Sequence, residues 1–137
     1  MSLTAVDTSV AVPLLVGSHT AHPQVAAWAH GRRLALAGHA VAETYSVLTR
    51  LPGDARVAPS DAVRLIDENF AELLTPLPAT SARIHEALAD AGLGGGAAYD
   101  GLVALAVRDN GRTLATRDAR ARATYEALGI PFEVVAS

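Results

Sequence analysis

Residues 3–9, Leu-Thr-Ala-Val-Asp-Thr-Ser, limit what this chain can fold into more than any other stretch. A short, mostly apolar run leads straight into an aspartate and two hydroxyls. No polar residue alternates with an apolar one, so the run reads as a strand covered on both faces, as in a parallel sheet. A carboxylate at the end of such a strand is not there for packing. A buried charge must meet a cation, a metal or a hydrogen-bond network, and the rest of the sequence has to supply one of these for Asp7.

Helical and strand-like segments then alternate along the chain. Val10 to Val16 reads as a helix ending at Gly17-Ser18, and His22-Pro23 opens a second that runs to about His30. Leu34 to Ala37 is a second strand. His39 to Leu51 has helical spacing, with Ala40, Val41, Thr44, Val47, Leu48 and Leu51 on one side. A helix from Ala58-Pro59-Ser60-Asp61 to about Phe70, capped by Ser60, follows the break at Pro52-Gly53-Asp54. Leu73 to Leu77 is a third strand, weakened by Pro76 and Pro78. Thr80 or Ser81 caps a helix to about Ala91. A glycine-rich loop at 92–96 precedes the most regular helix, Ala97 to Asn110, ended by Gly111. Thr113 to Thr116 is a fourth strand, Asp118 to Leu128 a last helix, and Phe132 to Val135 a last strand.

This alternation predicts an α/β chain: a three-layer α/β/α domain with a mainly parallel sheet of four to five strands. Its 137 residues are read as one domain, 1–137. The chain has no cysteine and no lysine, and all eleven basic residues are arginine. A thiolate nucleophile, a cysteine zinc site, a Walker A loop and a Schiff-base enzyme are thereby disfavoured. A net charge of −3 gives no overall basic signature of a nucleic-acid binder, although acids gathered at one site can mask basic surface elsewhere. Neither a signal peptide nor a run of about 20 apolar residues is present, so the reading is a cytoplasmic protein without a membrane contact.

Four acids stand out by position. Asp7 ends the first strand, and Asp118 follows the fourth. Ligands of open α/β sheets gather at the carboxyl ends of strands, so these two should share one edge. Asp100 lies three, four and seven residues before Val103, Ala104 and Val107 and should face inward with them. Glu43, between Ala40 and Val47, is read as inward-facing on its own helix. Four clustered carboxylates repel, and with no lysine to compensate them the set suits a hard divalent cation, Mg²⁺ or Mn²⁺. Such ions assist phosphodiester hydrolysis. Thr8, Ser9 and Thr116 offer hydroxyls to orient the carboxylates. Arg112, Arg117, Arg120 and Arg122 are read as neighbours of the Asp118 edge able to hold phosphates, with Arg120 and Arg122 equally suited to solvated helix positions. Tyr99 and Tyr125 are assigned to core packing rather than base stacking. His39, four residues before Glu43, is read as a helix-entry residue, and no histidine is taken as a metal ligand.

Val6-Asp7-Thr8-Ser9, Glu43, Ala98-Tyr99-Asp100 and Leu114-Ala115-Thr116-Arg117-Asp118 resemble, in order, the acidic motifs of PIN-domain ribonucleases, and among these the VapC toxins of bacterial toxin–antitoxin pairs. The resemblance implies a metal-dependent endoribonuclease. Asp7, Glu43, Asp100 and Asp118 would be its catalytic acids and metal ligands, and Thr116 would support them. It implies hydrolysis of single-stranded RNA by in-line attack of a metal-activated water, leaving a 5′-phosphate and a 3′-hydroxyl. It also implies a homodimer and a VapB-like antitoxin, for which an apolar groove near Val12, Leu14, Leu15 and Trp28 is the expected seat. The alternative is a PIN-fold RNA-binding or regulatory module without turnover. A haloacid-dehalogenase-like phosphatase would want an aspartate where Ser9 stands.

Overall fold

The computed structural model describes residues 2–135. Five parallel strands form one sheet in the order β3-β2-β1-β4-β5. In chain order they are β1 (Leu3–Val6), β2 (Arg33–Ala37), β3 (Glu72–Leu74), β4 (Thr113–Thr116) and β5 (Phe132–Val134). Between them run α1 (Thr8–Leu15), α2 (His22–Ala29), α3 (Ala40–Thr49), α4 (Pro59–Asn69), α5 (Pro78–Ala82), α6 (Ile84–Asp90), α7 (Ala97–Asp109) and α8 (Arg122–Ala127). Helices cover the sheet in the three-layer arrangement that the alternation predicts.

The central strands are built from small and branched apolar residues because both faces are covered. Ala5, Val6, Ala35, Leu36, Ala37, Leu114 and Ala115 are fully buried. Five consecutive residues of α7, Val103 to Val107, are buried as well, so this helix carries much of the core. Chain direction places the site. From β1 the sheet grows one way through β2 and β3 and the other way through β4 and β5. The carboxyl ends of β1 and β4 therefore flank the point where strand order reverses, the usual ligand position in such sheets. Val6 is in register with Ala115, which brings Asp7 beside Thr116.

One glycine sets how closely the layers meet. Gly38, at the turn from β2 to α3, has φ +57°, and a Cβ there would lie 2.5 Å from the Leu102 carbonyl oxygen. No other residue lets the start of α3 lie this close to α7, so Gly38 fixes the distance between the helices that carry Glu43 and Asp100.

Several boundaries differ from expectation. The third strand ends at Leu74 rather than Leu77, because Pro76 cannot donate to the ladder. Helix α4 begins with Pro59 in its first turn and Ala58 as its uncapped N-terminal flank, so Ser60 falls inside the helix and does not cap it. The helix expected from Thr80 to Ala91 is two helices, broken at Arg83, whose φ of −126° and ψ of 38° are not helical. The first helix starts at Thr8, two residues early, because Asp7 caps it. The last begins with a tight turn at Ala119–Ala121 before α8.

Candidate active site

Asp7 is 5% exposed, and its carboxylate accepts four hydrogen bonds. Oδ1 accepts from the Ser9 backbone N–H (3.0 Å) and from Ser9 Oγ (2.5 Å). Oδ2 accepts from Thr116 Oγ1 (2.6 Å) and from the Tyr125 hydroxyl (2.8 Å). A carboxylate has about four lone-pair positions, so this one is saturated. The two hydroxyls nearest it are themselves held. Ser9 Oγ accepts from Arg117 N–H at 2.7 Å, and Thr116 Oγ1 accepts from Asp118 N–H at 3.1 Å. The ends of β1 and β4 are thus tied together through Asp7. Burial pushes its carboxyl above the ordinary aspartate range, and the donors from Ser9, Thr116 and Tyr125 only partly counter it. Thr8 lines the cleft beside Ser9, and no hydrogen bond joins its side chain to Asp7 among the described residues.

The other acids surround this anchored group. Asp100, in the first turn of α7, is half-buried. Its carboxyl is also pushed up, first by burial and then by the negative charges of Asp118, Asp7 and Glu43, with Arg120 acting the other way. Asp100 therefore lies within electrostatic range of the other three acids. Asp118 caps the turn that follows it, accepting from Arg120 N–H at 3.0 Å. Arg120 Nε lies 3.4 Å from the same oxygen, a solvent-exposed contact that is readily displaced. A cleft of about 420 Å³ is lined by Glu43, Asp118, Thr8, Ser9, Arg117 and Arg120, among others. Among the described residues, no three His, Asp or Glu side chains are already arranged to hold a metal ion.

A sequence profile of the PIN domain matches residues 4–127. The chain belongs to the PIN-domain family. Within it the chain is of the VapC type: it is 56% identical over 132 residues to Ribonuclease VapC27 of Mycobacterium tuberculosis, covering 96% of both chains. It is 40% identical over 132 residues to Ribonuclease VapC40 of the same species, covering 96% of this chain and 98% of that one. Solved structures share the fold at low identity. VapBC2 from Rickettsia felis, bound to a DNA fragment from its promoter, has a TM-score of 0.65 at 13% identity, covering 97% of this chain and 98% of that one. FitAcB from Neisseria gonorrhoeae has a TM-score of 0.63 at 20% identity, covering 94% and 95%.

Several expected side-chain placements need correction in this PIN domain. Glu43 is exposed to the cleft rather than inward, because Ala40, Thr44 and Leu48 form the buried stripe of α3. Tyr99 is not a core residue. It is 56% exposed, one position before the half-buried Asp100, and its ring stacks on His39 at 4.8 Å. Arg112 stands just before β4, at the end of the strand opposite Asp118, and so lies away from the acidic edge. Arg122 sits over the Phe132 ring, 6.0 Å from its centroid. The expected groove residues divide between two surroundings. Trp28 is half-buried beneath Arg32, and Val12 lines the acidic cleft. An apolar cavity of about 440 Å³ lies between α3 and α4, with Val41, Tyr45, Val63 and Leu73 in its walls. Tyr125 is buried as expected, but its hydroxyl belongs to the site, a role the core assignment missed. The one available signal was chemical: a buried tyrosine needs a partner for its hydroxyl.

Proposed function

We propose that this chain is a metal-dependent endoribonuclease that acts as the toxin of a toxin–antitoxin pair and cuts single-stranded RNA. The observation that carries this reading is the buried, donor-saturated Asp7 ringed by Asp100, Asp118 and Glu43 at the sheet's switch point, with two arginines in the same cleft. The 56% identity to a protein named as a ribonuclease supports it.

The donor set suits Mg²⁺ or Mn²⁺, because it consists of hard carboxylate oxygens, and burial first and their mutual repulsion second already raise Asp100. Asp7, Glu43, Asp100 and Asp118 would hold the ion. A bound divalent cation supplies acidification of the attacking water and neutralisation of charge on the phosphate oxygens during in-line hydrolysis. The chain's own residues do the rest. Ser9, Thr116 and Tyr125 keep Asp7 in one orientation. Arg117 lines the cleft, where its guanidinium can take a phosphate oxygen. Arg120 can leave Asp118 for the same task. Tyr99, exposed beside Asp100 and backed by His39, offers a face on which an unpaired base can stack. A VapB-like antitoxin would restrain the activity, and a homodimer is the expected assembly.

Expression in a bacterial host tests the reading. Wild-type protein should slow growth and fragment cellular RNA, the Asp118→Asn variant should do neither, and co-expression of a cognate antitoxin should restore growth. Equal growth arrest by the Asn variant would favour a non-catalytic module and sink the enzymatic reading.

A further inference from the structure

The Asp7 carboxylate divides its labour between its two oxygens. Oδ1 is held by Ser9 alone, a half-buried residue that lines the cleft and whose hydroxyl can turn. Oδ2 is held from the opposite side by Thr116 and Tyr125, both fully buried. Tyr125 comes from α8, and no other side chain of that helix reaches Asp7 among the described hydrogen bonds. Its ring is packed edge-on against Phe132 of β5, centroids 5.9 Å apart, while its hydroxyl donates directly to Asp7 at 2.8 Å.

We infer that Tyr125 is a positioning residue for Asp7: it fixes Oδ2 on the core side so that Oδ1 is the oxygen turned to a divalent cation in the cleft. This rests on the metal-dependent reading above. Ligating carboxylates depend on such outer hydrogen bonds for orientation. Removing the Tyr125 hydroxyl does not hand the freed lone pair to the metal. The vacated acceptor position faces the buried side of the site, where a hydrated cation has no access.

Tyr125→Phe keeps the ring and deletes the donor. Phe132→Leu loosens the ring's packing and keeps the donor. For each variant, Mn²⁺ affinity is measured by calorimetry on the metal-free protein, alongside Tm without metal and the kcat and KM for cleavage of an RNA oligonucleotide. Tyr125→Phe should raise the Mn²⁺ Kd roughly 10–100-fold and lower kcat with little change in KM. Phe132→Leu should lower Tm while leaving the Mn²⁺ Kd within about twofold. A Tyr125→Phe protein that binds Mn²⁺ as tightly as wild type, or more tightly, overturns the inference and leaves Tyr125 a core residue. Wild-type protein that binds no Mn²⁺ overturns both this inference and the metal-dependent reading, so the two failures are told apart by the wild-type titration.

Discussion

Replacing Asp7 separates two roles that its position merges, and the structure predicts how. In Asp7→Ala, four donors lose their acceptor. Thr116 Oγ1 can donate to Ser9 Oγ, 3.3 Å away, and the Ser9 hydroxyl can donate to water in the cleft it lines. The Ser9 backbone N–H and the buried Tyr125 hydroxyl have no replacement within reach among the described residues. At about 1–3 kcal/mol for each unsatisfied buried donor, the cost is about 2–6 kcal/mol. Roughly 3–4 °C of Tm accompanies each kcal/mol in a chain of this size, so Tm should fall by at least about 6 °C. Asp7→Asn behaves differently. Its amide nitrogen can donate to the oxygens of Thr116 and Tyr125, its oxygen can accept from Ser9 N–H, and a buried charge disappears. Thermal denaturation in EDTA should place the Asn variant within about 3 °C of wild type or above it. Millimolar Mg²⁺ should raise the Tm of wild type and leave the Asn variant unmoved, because only the former binds the ion. If Asn destabilises the metal-free protein as much as Ala, the carboxylate's charge is part of the fold, and the assignment of that charge to a cation is wrong.

Without metal, stability should depend on pH through Asp7 and Asp100, both raised above the ordinary 3.8. A raised carboxyl binds its proton more tightly in the folded chain, so its stabilising contribution is complete below 3.8 and is lost as pH rises through the folded value. The Tm in EDTA should therefore climb as pH falls from neutral toward that value, and an Asp7→Asn, Asp100→Asn double variant that keeps the wild-type slope would refute the assignment. Asp109 works oppositely and only at lower pH: hydrogen bonds from Thr80 and Leu77 hold it down against burial. Gly38→Ala should cost at least about 1–2 kcal/mol for its left-handed backbone, before the clash with Leu102 is counted, and should lower metal affinity by moving α3 from α7. Denaturant unfolding measures the first, and an unchanged midpoint contradicts it. Tyr99→Ala should raise KM for RNA several-fold with kcat nearly kept, as expected for about 1 kcal/mol of stacking. A fall in kcat alone would remove Tyr99 from substrate binding.

The sheet and its switch point were legible because strand direction follows from the alternation of segments, and Asp7 and Asp118 are each tied to a strand end. Asp100 was legible from its spacing to Val103 and Val107. The exposure of Glu43, which lines the cleft, was not legible, because neighbouring alanines on α3 blur the buried stripe. Tyr125 was read only as core. It lies 118 positions from Asp7, and nothing local distinguishes a tyrosine that fills space from one that also donates to a distant carboxylate. Arg112 was misplaced although the signal was present: a residue before a parallel strand lies at the amino end, away from the ligand edge. The break at Arg83 has no counterpart in the sequence pattern, since Thr80 to Ala91 contains neither glycine nor proline.

Whether four carboxylates serve a cation in the cutting of RNA is reached directly by one assay. A 5′-labelled single-stranded RNA is incubated with purified wild-type protein and with Asp100→Asn, each in Mg²⁺ and in EDTA. The account predicts internal cleavage by wild type in Mg²⁺ alone, with products bearing a 5′-phosphate and a 3′-hydroxyl. Cleavage that persists in EDTA, or that Asp100→Asn performs at the wild-type rate, would contradict it.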